Sequence, residues 1–195
     1  MKKKMSGSLL TVKKVNLHSI VKSYQLKMLL VSVSVGVLAG LLIALVRLHL
    51  GMPGHKAFLW MTPALIARLR SRCRIGAAAA ALSTALTTYS LGANLAGGVA
   101  GMPMIMLAGL ILDGVVNLLE KNRISGIVMI LVLGLAAAAA NLLCLVKRMI
   151  LPTGLNPNFI FGVSGLWFKL FSYTFFGLIS GIVAAVISTR RTEHN

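Results

Sequence analysis

The chain has 195 residues, of which 57% are hydrophobic and only 12% charged, and its mean hydropathy is +0.89. Soluble domains carry about a quarter charged residues, so an ordinary water-soluble globule is excluded, and the length suits one helical bundle without a second globular domain. The net charge of +17 comes from 20 Lys and Arg against Asp113, Glu120 and Glu193; the basic residues flank apolar runs, so topology and anionic lipid headgroups account for them and no nucleic-acid partner is expected.

Residues 1–27 carry seven lysines and no acid. Val12, Val15, Leu17, Ile20, Val21 and Tyr24 interleave with them, which predicts a basic cytoplasmic arm or an amphipathic helix on the membrane surface. The first apolar run begins only at Met28 and no small-residue cleavage site follows it, so a retained span is expected rather than a signal peptide.

Met28–Val46 is that span, close to the roughly 20 residues that cross a bilayer. Ser32, Gly36, Gly40 and Ala44 recur at every fourth position and form one narrow stripe on a helix. In lipid, such a stripe lets another helix approach backbone to backbone. The stripe alone leaves open whether that helix belongs to this chain. The topology, together with the lack of any Walker motif, favours a docking partner outside it.

Gly51–Lys56, GMPGHK, predicts a loop. Ala57–Leu69 is short for a span and contains Pro63, but Arg68, Arg70, Arg72 and Arg74 behind it mark a cytoplasmic loop. A short, kinked second span is therefore expected. Ile75–Leu91 is the third, Gly92–Gly101 an outer turn, and Met102–Leu119 the fourth. Ile124–Val146 is the fifth span, Lys147–Asn158 the last outer loop, and Phe159–Ser188 the sixth. With both termini cytoplasmic, the seven N-terminal lysines, the four arginines of the second loop, Lys121, Arg123, Arg190 and Arg191 all lie inside. That asymmetry fixes the orientation. The expected fold is an all-α polytopic bundle of six transmembrane helices over residues 28–188, with a cytoplasmic tail at 189–195.

Few residues offer chemistry. Lys169 lies roughly 28 to 30 Å above the cytoplasmic end of its span at 1.5 Å per residue. It reads either as an anchor for an anionic or carbonyl-bearing ligand or as a lysine snorkelling to the outer headgroups. Phe58, Trp60, Tyr89, Phe159, Phe161, Trp167 and Phe168 gather at the same level. They form an interfacial belt or, with Asn94, Asn158 and Lys169, a pocket opening outward; His55 would join it from the first outer loop. Asp113, the one acid inside a span, is expected to form a structural ion pair with Arg72 or Arg74, a proton-coupled role being the alternative. Gly162-Val163-Ser164-Gly165 matches the G-x-S-G of rhomboid proteases, but the only later histidine is His194, in the tail, so the glycines read as packing residues. Cys73 and Cys144 show no metal-ligand spacing and no bridge. No metal, cofactor or enzymatic activity is expected.

Taken together, the chain resembles the S component, the substrate-binding membrane subunit, of energy-coupling factor (ECF) vitamin transporters. The resemblance rests on the six-helix architecture over residues 28–188, the stripe Ser32, Gly36, Gly40 and Ala44, the segment Gly51-Met-Pro-Gly-His55 followed by LWMTPALIAR, LAGLILDG at Leu107–Gly114, and YTFFGLISGIVAAVIS at Tyr173–Ser188. It implies a multi-pass protein of a prokaryotic cell membrane that binds a small vitamin-like molecule near its outer face. It also implies a transmembrane coupling subunit docked on the stripe, and ATPase subunits that energise uptake. His55, Trp60, Tyr89, Asn94, Trp167 and Lys169 are then the expected substrate-binding residues. The other readings are a stand-alone carrier or channel with Asp113 and Lys169 on its pathway, and a structural or assembly membrane protein.

Overall fold

The computed structural model describes residues 6–46, 53–93, 95, 99–150 and 163–189. Among these residues the chain forms six α-helices: α1 Ser6–Val46, α2 Lys56–Ser71, α3 Gly76–Ser90, α4 Met102–Lys121, α5 Gly126–Ile150 and α6 Val163–Thr189, with a single 3-10 turn, Val99–Gly101, leading into α4. Four stretches are long and apolar enough to cross a membrane: Tyr24–Val46, Met102–Lys121, Gly126–Val146 and Gly165–Thr189. This is an all-helical membrane protein.

The two remaining helices differ from the other four. At 1.5 Å per residue α2 and α3 are roughly 24 and 22 Å long, short of the about 30 Å hydrocarbon thickness. More than half of the residues in each are buried. They are the two shortest helices of the bundle and are largely buried within it. α1 differs in the other direction, because its helix continues back from the span to Ser6 without interruption. Between Ser8 and Val35 the sequence has no glycine or proline, so nothing breaks the helix where the lysines begin.

Neighbouring helices close a ring in the order α1, α3, α4, α5, α6, α2 and back to α1, with α2 and α3 also packed on each other. Backbone proximity sets this order. The five alanines Ala77–Ala81 of α3 are approached from both sides. A Cβ added to Gly36 of α1 would lie 2.8 Å from the Ala80 Cα, and one added to Gly109 of α4 would lie 2.6 Å from the Ala78 Cα. The second alanine run, on α5, receives α6 in the same way: a Cβ on Gly177 would meet the Ala138 Cα at 2.6 Å, and one on Gly181 the Gly134 Cα at 2.7 Å. Lipid tails are as apolar as leucine, so helices in a membrane gain by contact area and dispersion rather than by escape from solvent. Runs of alanine facing glycine maximise that contact.

The stripe on α1 is therefore filled from within the chain. Ser32, Gly36 and Gly40 are buried and Ala44 is half-buried; the first three pack against α3 and its N-terminal glycine. Thr84 Oγ1 lies 2.9 Å from the Gly36 carbonyl oxygen and Ser83 Oγ lies 3.2 Å from that of Val33, so hydroxyls of α3 reach across to α1. This face of α1 is not open to a second protein. The opposite face of α1 is apolar and exposed at Leu30, Leu38, Leu42 and Leu45.

Gly114 on α4 marks the contrast, since a Cβ there meets nothing within 4 Å. Gly114→Ala is expected to raise stability by about 0.5–1 kcal/mol through helix propensity alone, measured as a higher melting temperature of the purified protein in detergent. A loss of stability would show that α4 is approached closely at Gly114 as well.

Candidate functional site

Two polar sites lie at opposite ends of the bundle. The first is built on Arg68, which is fully buried on the inward face of α2, two helical turns beyond Trp60 and below Leu65. Its guanidinium donates to both carboxylate oxygens of Glu120 at 3.1 Å, in the bidentate fork geometry, and also to Asn117 Oδ1. Its Nε lies 3.3 Å from Asp113 Oδ1.

Asp113 does more than pair with that arginine. Its two oxygens accept the backbone N–H groups of Ala77 (2.9 Å) and Ala78 (2.8 Å). These belong to the first turn of α3, whose N-terminal flanking residue Ile75 supplies no side-chain cap. A helix start leaves several N–H groups without partners, and a carboxylate there also complements the helix dipole. Asp113 is thus a helix cap provided from another helix. The expected partners Arg72 and Arg74 are both exposed: Arg72 ends α2 in a left-handed conformation (φ 53°), and Arg74 lies in the connection to α3. The structural ion pair forms with Arg68 instead. Arg68, Glu120 and Asn117 escaped the sequence reading because Arg68 was grouped with the loop arginines. Its spacing from Trp60, Ala64 and Leu65 would have placed it on the buried face.

The second site is a cavity of about 90 Å³ between α2, α4, α5 and α6. Ala57 and Trp60 of α2, Ile105 of α4, Asn141 and Cys144 of α5, and Tyr173 of α6 line it, together with Leu95 and the turn Pro53-Gly54-His55-Lys56. The turn covers it because it is pinned to α6. Gly54 adopts φ +84° and lies so close that a Cβ would come within 3.1 Å of the Tyr173 Cα. The Ser172 hydroxyl donates to the Pro53 carbonyl, and the His55 ring meets Phe176 edge-on at 6.5 Å. Below, the buried Asn141 donates from Nδ2 to the Tyr173 carbonyl oxygen at 2.7 Å, tying α5 to α6 at the cavity wall.

The structure brings His55 and Trp60 together at this cavity. Tyr89 and Trp167 lie on the surface, 53% and 68% exposed, and Lys169 is half-buried; none of the three is among the lining residues. Asn94 lies outside the described residues. Asn141, Cys144, Lys56 and Tyr173 complete the lining and were not singled out from the sequence. A single asparagine directly after five alanines was the available signal, since a buried amide in a span needs a partner.

Ser172→Ala removes one anchor of the turn and is expected to raise the rate at which a maleimide alkylates Cys144, in a Cys73→Ser background. The lost hydrogen bond is worth about 1 kcal/mol, which corresponds to a rate increase of several-fold. An unchanged rate would mean that the turn is held without Ser172.

Among the described residues no three His, Cys, Asp or Glu side chains come close enough to hold a metal ion. In comparisons with known proteins, no family model, no curated protein and no solved structure matches this chain.

Proposed function

We propose that this protein is the substrate-binding membrane subunit of an uptake system in a prokaryotic cell membrane. It binds a small vitamin-like molecule and depends on a separate coupling subunit and ATPase for energy. The observation that supports this most directly is the cavity, which brings an indole and an amide together with the imidazole and lysine of the turn that packs on α6. In the orientation expected from the lysines and arginines, with both ends cytoplasmic, that turn lies on the outer side, where a substrate arrives. Binding sites for drug-sized ligands measure roughly 300–1,000 Å³, so a vitamin-sized ligand enters only if the Pro53–His55 turn moves off α6. The coupling subunit in this reading meets a surface other than the small-residue stripe, which α3 already occupies. A carrier with Asp113 on its pathway has less support, because both Asp113 oxygens are engaged by the first turn of α3.

The test is to purify the chain from its native membrane in mild detergent and identify copurifying proteins and small molecules by mass spectrometry. ATPase subunits and a bound small molecule, lost from Trp60→Ala, are the expected result. Uptake by reconstituted chain alone would favour a carrier instead. Neither partners nor ligand would favour a structural role.

A further inference from the structure

We infer that Arg72 and Arg123 together hold the phosphate of an anionic phospholipid at the end of the bundle opposite the cavity. This does not depend on the binding-subunit reading. Positive φ occurs at Gly54, Gly92 and Gly126, where glycine bears it without steric cost, and at two other described residues, both arginines: Arg72 (53°) and Arg123 (52°). Apart from glycine, asparagine and aspartate take this conformation most readily. Asn122 stands beside Arg123 yet has φ −89°, so the left-handed position falls to the arginine. Charge at the helix ends does not account for the pair. The last turn of α2 already holds Arg68 and Arg70, and that of α4 holds Lys121, which complement the two dipoles.

The fold sets the two connections side by side. Arg72 follows Arg68 by one helical turn and Arg123 follows Glu120 by three residues, and Arg68 and Glu120 are joined at 3.1 Å. Asn117 of α4 also donates to the Arg74 carbonyl oxygen at 3.4 Å. Arg72 and Arg123 are exposed, and among the described residues neither side chain forms a hydrogen bond or ion pair. The acids at this end, Asp113 and Glu120, are both drawn to Arg68. Ile75, Leu118 and Ile127, close by in the chain, are exposed as well. Guanidinium forks match phosphate oxygens, and exposed aliphatic side chains beside them suit the acyl chains of the same lipid rather than a soluble acidic protein. Basic pockets between membrane helices take anionic headgroups in this way.

The full-length chain is titrated in detergent with phosphatidylglycerol or phosphatidylcholine, with binding read by native mass spectrometry and melting followed in parallel. Phosphatidylglycerol is expected to bind roughly 30-fold more tightly, the scale for two basic residues at an anionic headgroup. Arg72→Gly/Arg123→Gly should abolish that preference. Arg70→Gln/Lys121→Gln, which removes two charges from the same end, should leave most of it. Without anionic lipid the glycine pair is expected to melt a few degrees above wild type, because the left-handed strain is relieved. A lower melting temperature would mean that the arginines serve the fold, and would overturn the inference. Equal loss in both double variants would show diffuse attraction only and overturn it too. So would the lack of any preference for phosphatidylglycerol, and binding of a polyglutamate peptide in its place would make this end a surface for an acidic protein. If inorganic phosphate raises the melting temperature as much as phosphatidylglycerol at equal concentration, the ligand is a soluble phosphate and the lipid assignment fails. Arg72→Asn/Arg123→Asn, which also tolerates the left-handed conformation, repeats the comparison should the glycine pair not fold.

Discussion

Asp113→Ala is expected to cost about 3–5 kcal/mol of stability, the scale for removing one member of a buried charged pair. The substitution does two things at once. It leaves the N–H groups of Ala77 and Ala78 without their acceptor, and it withdraws one of the two carboxylates around the fully buried Arg68. Each unsatisfied buried group costs about 1–3 kcal/mol, and Ala77 and Ala78 are buried, so water does not replace the cap. Arg68→Met should cost less. Asp113 would keep both backbone bonds, and Glu120, with its side chain 45% exposed, can be solvated. Thermal melting of the purified variants in detergent gives the order. Arg68→Met more damaging than Asp113→Ala would show that the ion pair, and not the cap, is the main role of Asp113.

Gly36→Leu is expected to separate α1 from α3 and destabilise the bundle by at least about 3 kcal/mol, at or above the upper end of ordinary overpacking. An added Cβ already falls 2.8 Å from the Ala80 Cα and close to the Ala80 carbonyl oxygen, and backbone atoms cannot rotate aside as a side-chain tip can. Gly36→Ala should show the same effect in reduced form. The reference is Gly114→Ala, where the added methyl group meets open space. Melting curves and resistance to proteolysis check the series. Wild-type stability in Gly36→Leu would mean that α3 does not occupy the stripe, and would return it to the role of a docking face for another protein.

These two results bear on what could be read from the chain. Residue order alone located α2 to α5 closely. Apolar runs bounded by Arg68–Arg74 and Glu120–Arg123 set their ends to within a few residues, because charge is expelled from hydrocarbon wherever it lacks a partner, but the start of α1 at Ser6 lies well before the expected Met28. The small-residue stripe was legible as a site of close helix contact, since Ser32, Gly36 and Gly40 share a face on any helix. The partner of that face was not legible. Small-residue stripes bind any complementary surface, and Ala80, Ser83 and Thr87 lie more than forty residues further along the chain.

The polar sites divide in the same way. That Asp113 needs a buried partner follows from its place in a span, yet the choice of Arg68 over Arg72 and Arg74 depends on where α2 ends and which of its faces turns inward. The cap on α3 was invisible in the sequence, because the carboxylate and the N–H groups it serves are 35 and 36 residues apart. His55 and Trp60, expected together from their position in and beside the first loop, do meet at one cavity. Asn141, Cys144 and Tyr173 join them only because α5 and α6 are brought together by Gly177 lying on the second alanine run and Gly181 on Leu133 and Gly134. Hydrophobicity and charge act along the chain and decide which segments enter the membrane. Contact between backbones acts across it, and that contact decides which of those segments meet.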